Sequence, residues 1–172
     1  LDIGQSTGGF TDCLLAHGAS RVVGVEVGHG QLAERLRADP RVVCLEGFNA
    51  RGLTPDALRA AAPDVTDLPA SFDWVVIDVS FISLTQVLGA AATVARPGTT
   101  LIALVKPQFE VGPQGLDARG VVRDEASLPW VRERIEAAAR AGGWVARGWH
   151  DSALIGGDGN REFFLHAGFA PG

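Results

Sequence analysis

Leu1-Asp2-Ile3-Gly4-Gln5-Ser6-Thr7-Gly8-Gly9-Phe10 opens the chain. It reads as the end of a buried strand, a tight turn and the start of a helix. Glycine in such a turn lets the backbone approach a ligand and lets the helix pack closely against the strand. The spacing is not that of the dinucleotide fingerprint G-x-G-x-x-G, because Gly4 is followed by Gly8 and Gly9. By itself the turn therefore fits either a nucleotide-like ligand or a plain tight connection.

Outward from this turn the chain alternates short apolar runs with helical segments, which predicts an α/β fold around a mostly parallel sheet. Strands are expected at residues 1–3, 21–27, 41–45, 72–79, 99–105, 144–150 and 162–169. Helices are expected at residues 9–17, 31–38, 54–62, 84–95 and 124–141. Thr54 is placed as an N-cap, with Pro55 at the first helical position. Residues 111–120 form a long glycine-containing loop, a candidate binding loop.

The totals narrow the function classes. A length of 172 residues suits one domain with a sizeable core. The apolar fraction of 47% and charged fraction of 20% are those of an ordinary soluble protein. No apolar run approaches a membrane span and no secretory signal is present, so a cytoplasmic protein without membrane contact is expected. Cys13 and Cys44 are too few for a disulfide framework, and neither they nor the four histidines have metal-ligand spacing. A net charge of −5 is a poor footprint for a stand-alone nucleic-acid binder. The absence of Met and the opening on a strand end suggest a fragment of a longer chain.

Four positions carry the chemistry. Lys106 is the single lysine beside fourteen arginines, and it ends the apolar run Thr100-Leu101-Ile102-Ala103-Leu104-Val105. That places a compact, titratable amine at the carboxyl edge of a buried strand, where open α/β sheets bind ligands. Asp78 ends the neighbouring strand and should converge with Lys106 at the switch point. Glu26 ends the second strand, where a carboxylate can accept from both ribose hydroxyls of a nucleoside. Glu162 begins the last strand, after a Gly-Asn turn, and alone would pass for an exposed strand residue.

The segments Asp2-Ile3-Gly4-Gln5-Ser6-Thr7-Gly8-Gly9-Phe10-Thr11, Val27-Gly28-His29-Gly30-Gln31-Leu32, Asn49-Ala50-Arg51, Asp78-Val79-Ser80-Phe81-Ile82-Ser83-Leu84, Leu104-Val105-Lys106-Pro107-Gln108-Phe109-Glu110, Gly120-Val121-Val122-Arg123-Asp124 and Gly159-Asn160-Arg161-Glu162-Phe163-Phe164 occur in this order. Together they resemble the hemolysin A (TlyA-type) ribosomal RNA 2′-O-methyltransferases, which are similar to the wider FtsJ/RrmJ-like class. The resemblance implies a class I S-adenosylmethionine-dependent fold: Rossmann-like, doubly wound, seven-stranded, with helices on both faces. It implies S-adenosylmethionine as cofactor and Asp2, Gly4, Ser6, Thr7, Gly8, Gly9, Phe10, Glu26, Asn49 and Asp78 as its contacts. It further implies ribosomal RNA or a ribosomal subunit as partner. Of a Lys-Asp-Lys-Glu catalytic set, Asp78, Lys106 and Glu162 match the last three members. The first Lys and an S4-like RNA-binding domain lie upstream in the family and have no counterpart here, so residues 1–172 are expected to transfer no methyl to RNA unaided. Gln5 stands where a small residue is usual and could narrow the cofactor loop, Glu26 replaces Asp, and His29 replaces Tyr.

Arg119 and Arg123 flank the long loop as phosphate contacts or as a solvated pair. Lys106 can act as a neutral base, favoured by burial, or as an ammonium donor, favoured by Asp78. A nicotinamide oxidoreductase would share the fold and Glu26 but not the pairing of Lys106 with Asp78. A non-catalytic adenosylmethionine-binding or RNA-interaction module is a further alternative. The lytic activity suggested by the family name finds neither an apolar span nor a basic amphipathic helix. The sequence leaves the oligomeric state open.

Overall fold

A computed structural model describes residues 1–170 and Gly172. Its strands are β1 (Asp2–Ile3), β2 (Val22–Glu26), β3 (Val42–Glu46), β4 (Phe72–Ile77), β5 (Ala95–Val105), β6 (Trp144–Asp151) and β7 (Phe163–Phe169). They form one sheet in the order β3-β2-β1-β4-β5-β7-β6. The first five pair in parallel, and β7 runs antiparallel between β5 and β6. The strand order reverses at β1, which makes the crevice above β1 and β4 the topological switch point of a doubly wound sheet.

The helices are α1 (Gly9–Ala16), α2 (Glu34–Arg37), α3 (Pro55–Ala61), α4 (Thr85–Ala92) and α5 (Leu128–Ala141). Side-chain alternation along β2 assigns them to faces. Val23 and Val25 join a core with Leu58 of α3, Leu88 of α4 and Ile135 of α5. Val22 packs on the other side with Leu15 of α1 and Leu36 of α2. Period-two burial on both faces is what a parallel sheet sandwiched by helices requires. Among the described residues no helix is long and apolar enough to cross a membrane.

Several helices are shorter than their sequence patterns. The expected helix 31–38 shrinks to Glu34–Arg37 because the Ala33 amide donates to the Thr7 carbonyl of the first turn (3.1 Å) instead of to a helical partner. The helix expected at 84–95 stops at Ala92. There the Thr93 hydroxyl donates to the Ala90 and Leu53 carbonyls, and the chain turns early into β5. Residues 96–99 bulge from β5 where its register with β4 shifts. The Thr99 hydroxyl closes that bulge, accepting from the Arg96 amide (2.9 Å) and donating to the Phe72 carbonyl (2.6 Å). The helix expected from residue 124 begins as a 3-10 turn, Glu125–Ser127, before α5 proper. The Thr54 cap of α3 is present, its hydroxyl accepting from the Ala57 amide at 3.0 Å.

The two-residue β1 owes its central place to pairing on both sides. Its Asp2 and Ile3 are opposite Gly24 and Val25 of β2, and Val76 and Ile77 of β4. Immediately beyond it, Gly4 takes φ +82°, and a Cβ there would lie 2.0 Å from the Asp78 carbonyl oxygen. Only glycine satisfies both the left-handed backbone and that approach. Gly4→Ala is expected to lower the unfolding free energy by about 2–4 kcal/mol through backbone strain and the displaced Asp78 loop. Urea denaturation measures it, and an unchanged midpoint would show that the two segments separate without cost.

Candidate functional site

The loops after β1, β2, β3 and β4 enclose a cleft of about 480 Å³, whose walls include Gly4, Ser6, Glu26, Asn49, Asp78 and Phe81. The Glu26 carboxylate closes the base of the first turn. It accepts from the Ser6 amide (2.8 Å) and the Gly28 amide (2.9 Å). A carboxylate has about four acceptor positions, so two remain for ligand hydroxyls. Ser6 itself adopts a left-handed φ of 48°. Asn49 caps the short 3-10 turn Ala50–Gly52, its side-chain oxygen accepting from the Arg51 amide at 3.1 Å.

The remaining residues of the first turn stand behind this wall. Asp2 is buried and accepts from the Thr11 hydroxyl (2.7 Å), which in turn accepts from the Gln5 carboxamide (2.9 Å). Burial pushes the Asp2 carboxyl up to about 6 despite the opposing Thr11 bond. Gly8 packs under Leu32 and Leu36, where a Cβ would lie 2.4 Å from Leu36 Cδ1. Thr7 ties the loop to the start of α2, Gly9 begins α1, and the Phe10 ring meets Phe164 edge-on at 6.4 Å. Gln5 does not narrow the cleft. Its side chain turns down against Gly24 of β2, where a Cβ would lie 2.0 Å away, so a glycine in the neighbouring strand makes the room that a longer side chain needs.

A second cavity of about 480 Å³ joins the first at Ser80 and Phe81 and holds Lys106, Asp158 and Glu162. Lys106 follows β5 and Asp78 follows β4, and these strands are parallel neighbours. The Lys106 side chain is 15% exposed, and its Nζ lies 2.6 Å from Asp78 Oδ1. The same Nζ donates to the Ser80 hydroxyl at 2.9 Å. An ammonium carries three hydrogens, so Lys106 keeps donor capacity for a ligand beside these contacts. Glu162 precedes β7 and is half-buried. Burial, the first cause, pushes its carboxyl above the ordinary range; Lys106 pulls it down, and Asp78 and Asp158 push it up.

Three polar residues that sequence reasoning left without roles hold these groups in place. Asn160, at 1% exposure, accepts from the Val122 amide (2.9 Å) and donates to the Gly120 carbonyl (3.0 Å), stitching the long loop to the turn before Glu162. Gln108 donates to Asp158 at 3.0 Å and fixes the tip of that turn. Glu110, also buried, accepts from the Leu84 amide and the Ser83 hydroxyl, each at 2.7 Å, and anchors the entrance to α4. The signal for all three lay in their position. Each lies shortly after a strand or a glycine turn, and Asn160 and Glu110 supply partners there for backbone groups that would otherwise go unpaired.

Phe81 was also missed. It is 92% exposed, adopts a left-handed φ of 63°, and lies 5.3 Å from the Phe109 ring centroid. A bulky residue held in that region of backbone space costs on the order of 1–3 kcal/mol and tends to mark a functional surface. The two arginines read as phosphate contacts or as a solvated pair each have a partner within the chain. Arg119 pairs with Asp117 at 3.0 Å, and the Arg123 guanidinium donates to the Leu116 carbonyl. Arg119 still lines the second cavity.

Comparison with known proteins agrees with this architecture. A profile of the FtsJ-like methyltransferases matches residues 1–169. The 16S/23S rRNA (cytidine-2′-O)-methyltransferase TlyA of Mycobacterium tuberculosis is 48% identical over 169 residues, covering 96% of this chain and 58% of that protein. Hemolysin A of Brachyspira hyodysenteriae is 37% identical, with 96% and 65% covered. The chain thus spans less than two thirds of these curated relatives. A solved Streptococcus thermophilus chain described as a hemolysin superposes with a TM-score of 0.86 at 40% identity, over 99% of this chain and 59% of its own. An S-adenosylmethionine-dependent methyltransferase from Mesorhizobium loti shares the fold, with a TM-score of 0.63 at 12% identity, over 97% of this chain and 89% of its own. A doubly wound sheet with an antiparallel seventh strand, a glycine turn facing a carboxylate on the next strand, and a family match along the whole sheet place this chain in the FtsJ-like methyltransferase family.

Proposed function

We propose that this chain is the methyl-transferring domain of a cytoplasmic enzyme that uses S-adenosylmethionine to methylate a ribose 2′-hydroxyl of ribosomal RNA. The observation that carries the reading is the Lys106–Asp78 ion pair at the joint between two cavities, with Glu162 facing the second. The first cavity fits the cofactor. Gly4 lets the Asp78 backbone close against the first turn at its base, Glu26 keeps two free acceptor positions for the ribose hydroxyls, and Asn49 lines the same cleft. Bound there, S-adenosylmethionine supplies an electrophilic sulfonium methyl.

The chain's own residues then have one oxygen to place and one proton to accept. Lys106, oriented by Asp78 and Ser80, directs an N–H at the 2′-oxygen. Glu162 offers the acceptor for the hydroxyl proton, and burial raises its affinity for a proton, which suits that task. The exposed ring of Phe81 gives the base of the target nucleotide a face to stack on, the usual way a single-stranded base is held. Hydride transfer to a nicotinamide would leave Lys106, Asp78 and Glu162 without a task.

Lys106→Ala is expected to abolish methyl transfer to ribosomal RNA, with S-adenosylmethionine affinity changed by less than about threefold. Lys106→Arg should fail as well, because a planar guanidinium cannot occupy the same point between Asp78 and Ser80. Assay of the full-length protein with labelled cofactor decides it, and wild-type turnover in the Ala variant would remove Lys106 from the reaction.

Glu26→Ala should weaken S-adenosylmethionine binding by roughly 1–3 kcal/mol, the scale of losing a charged acceptor. Calorimetry against both S-adenosylmethionine and NAD reads this directly, and tighter binding of NAD would overturn the cofactor assignment.

The pH profile follows from Glu162. Its carboxyl is raised, so the ionised form that accepts a proton should fill only above the ordinary carboxylate range. Single-turnover rates are therefore expected to climb with pH through that raised value. Glu162→Gln should be slow at every pH and lose that limb, whereas a Gln variant keeping the wild-type profile would assign the limb to another group.

A further inference from the structure

A third cavity of about 530 Å³ opens beside the two already described, and its walls include Arg51, Phe81, Gln86, Gln108, Phe109 and Leu116. It shares Arg51 and Phe81 with the cofactor cleft, and Phe81, Gln108, Phe109 and Leu116 with the Lys106 cavity. All three cavities thus meet at the strained Phe81. A strand of RNA delivering one ribose to Lys106 continues as a phosphodiester on both sides, and this groove lies directly across the Phe81–Phe109 wall.

The groove's chemistry differs from the rest of the surface. Of fourteen arginines, only Arg51, Arg123, Arg140 and Arg147 lack a carboxylate partner among the described residues. Arg123 is held by the Leu116 carbonyl, Arg140 sits in the last turn of α5, and Arg147 lies along the edge strand β6 against Gly168. Arg51 alone of the four lines these cavities. Its guanidinium touches only neutral acceptors, Gln86 Oε1 at 3.4 Å and Asn49 Oδ1 at 3.5 Å, both long for hydrogen bonds. In a chain of net charge −5, that is a cation with spare donors facing a groove floored by two aromatic rings. The buried Gln108 carbonyl in the shared wall also has no partner.

We propose that this groove is the subsite for the nucleotide next to the methylated one. Arg51 pairs with its phosphate, and its base lies on the Phe109 side of the Phe81–Phe109 pair. A guanidinium suits phosphate, aromatic faces suit any base, and the carboxamides can reach base edges. The groove then adds an RNA contact to any that Arg119 makes at the Lys106 cavity. The assignment rests on the proposed RNA methyl transfer.

The test compares wild type, Arg51→Ala and Arg51→Lys in the full-length protein. Three quantities are measured: methylation kinetics on ribosomal RNA transcripts, RNA binding across a salt series, and the S-adenosylmethionine Kd by calorimetry. Arg51→Ala should raise KM for RNA about tenfold. It should shrink the slope of log affinity against log salt by about 0.7, the loss of one single-strand phosphate contact. The cofactor Kd should change less than about twofold. Arg51→Lys should restore most of the KM and the slope, since a phosphate accepts a point charge. Two results overturn the subsite: RNA KM and salt slope that do not move in Arg51→Ala, or a loss of cofactor affinity large enough to account for the KM. Wild type transferring no methyl to RNA overturns the enzymatic reading beneath it, and the wild-type arm separates that failure from the subsite's own.

Discussion

The approach of the Asp78 carbonyl to Gly4 is the contact on which the site depends. It joins the ends of β1 and β4 at the point where strand order reverses. The Gly4 amide donates to Val25 on one side, and the Asp78 amide donates to Ile3 on the other (each 2.9 Å). Both cavities therefore inherit their spacing from backbone pairing, which is stiff, and not from loop side chains, which are not. With β4 fixed, Asp78 projects beside the end of β5, and the parallel register brings Lys106 to it. A two-residue strand can serve this purpose because ladder partners flank it on both sides.

Electrostatics outside the site follow a different logic. Most arginines sit in exposed pairs with nearby carboxylates, such as Arg35 with Asp12 and Arg41 with Asp39. Such pairs contribute little to stability individually. Their effect is to leave the surface locally neutral and without a broad basic face. An unpaired guanidinium at a cavity mouth then matters more than it would on a basic protein, because little else competes for a phosphate. The lysine fits the same pattern. Its shielded ion pair with Asp78 needs a compact head, which arginine's planar fork does not provide.

The five parallel strands, their order of appearance and the convergence of Asp78 with Lys106 were legible because buried parallel strands appear as short apolar runs ending in polar residues. Helix lengths were less so. The truncation of α2 comes from a hydrogen bond to Thr7, and that of α4 from a Thr93 hydroxyl reaching Leu53, forty residues away in sequence. Neither partner is visible in a local pattern. Gln5 misleads for a related reason: a long polar side chain beside a cleft looks like a constriction, and only its packing over the bare Cα of Gly24 shows that it turns toward the sheet. Family resemblance named Asp2, Thr7, Gly8, Gly9 and Phe10 together with Gly4 and Ser6. The structure separates those that face the cleft from those that hold the turn beneath it.

Phe81 unites these observations. Its left-handed backbone opposes folding, and its exposed ring recovers little by burial. The neighbouring segments nevertheless leave it little freedom. Asp78 is held against Gly4 on one side of it, and Leu84 is held by the buried Glu110 on the other. The chain must cross between those anchors in a few residues, and it does so by turning through Ser80 and Phe81. The same turn lifts an aromatic ring to the one place bordered by all three cavities. Glu110 can thus shape the site without entering it: a carboxylate buried beneath α4 fixes the far end of the loop, and the strain it sustains keeps the ring raised between the cofactor cleft and the two grooves.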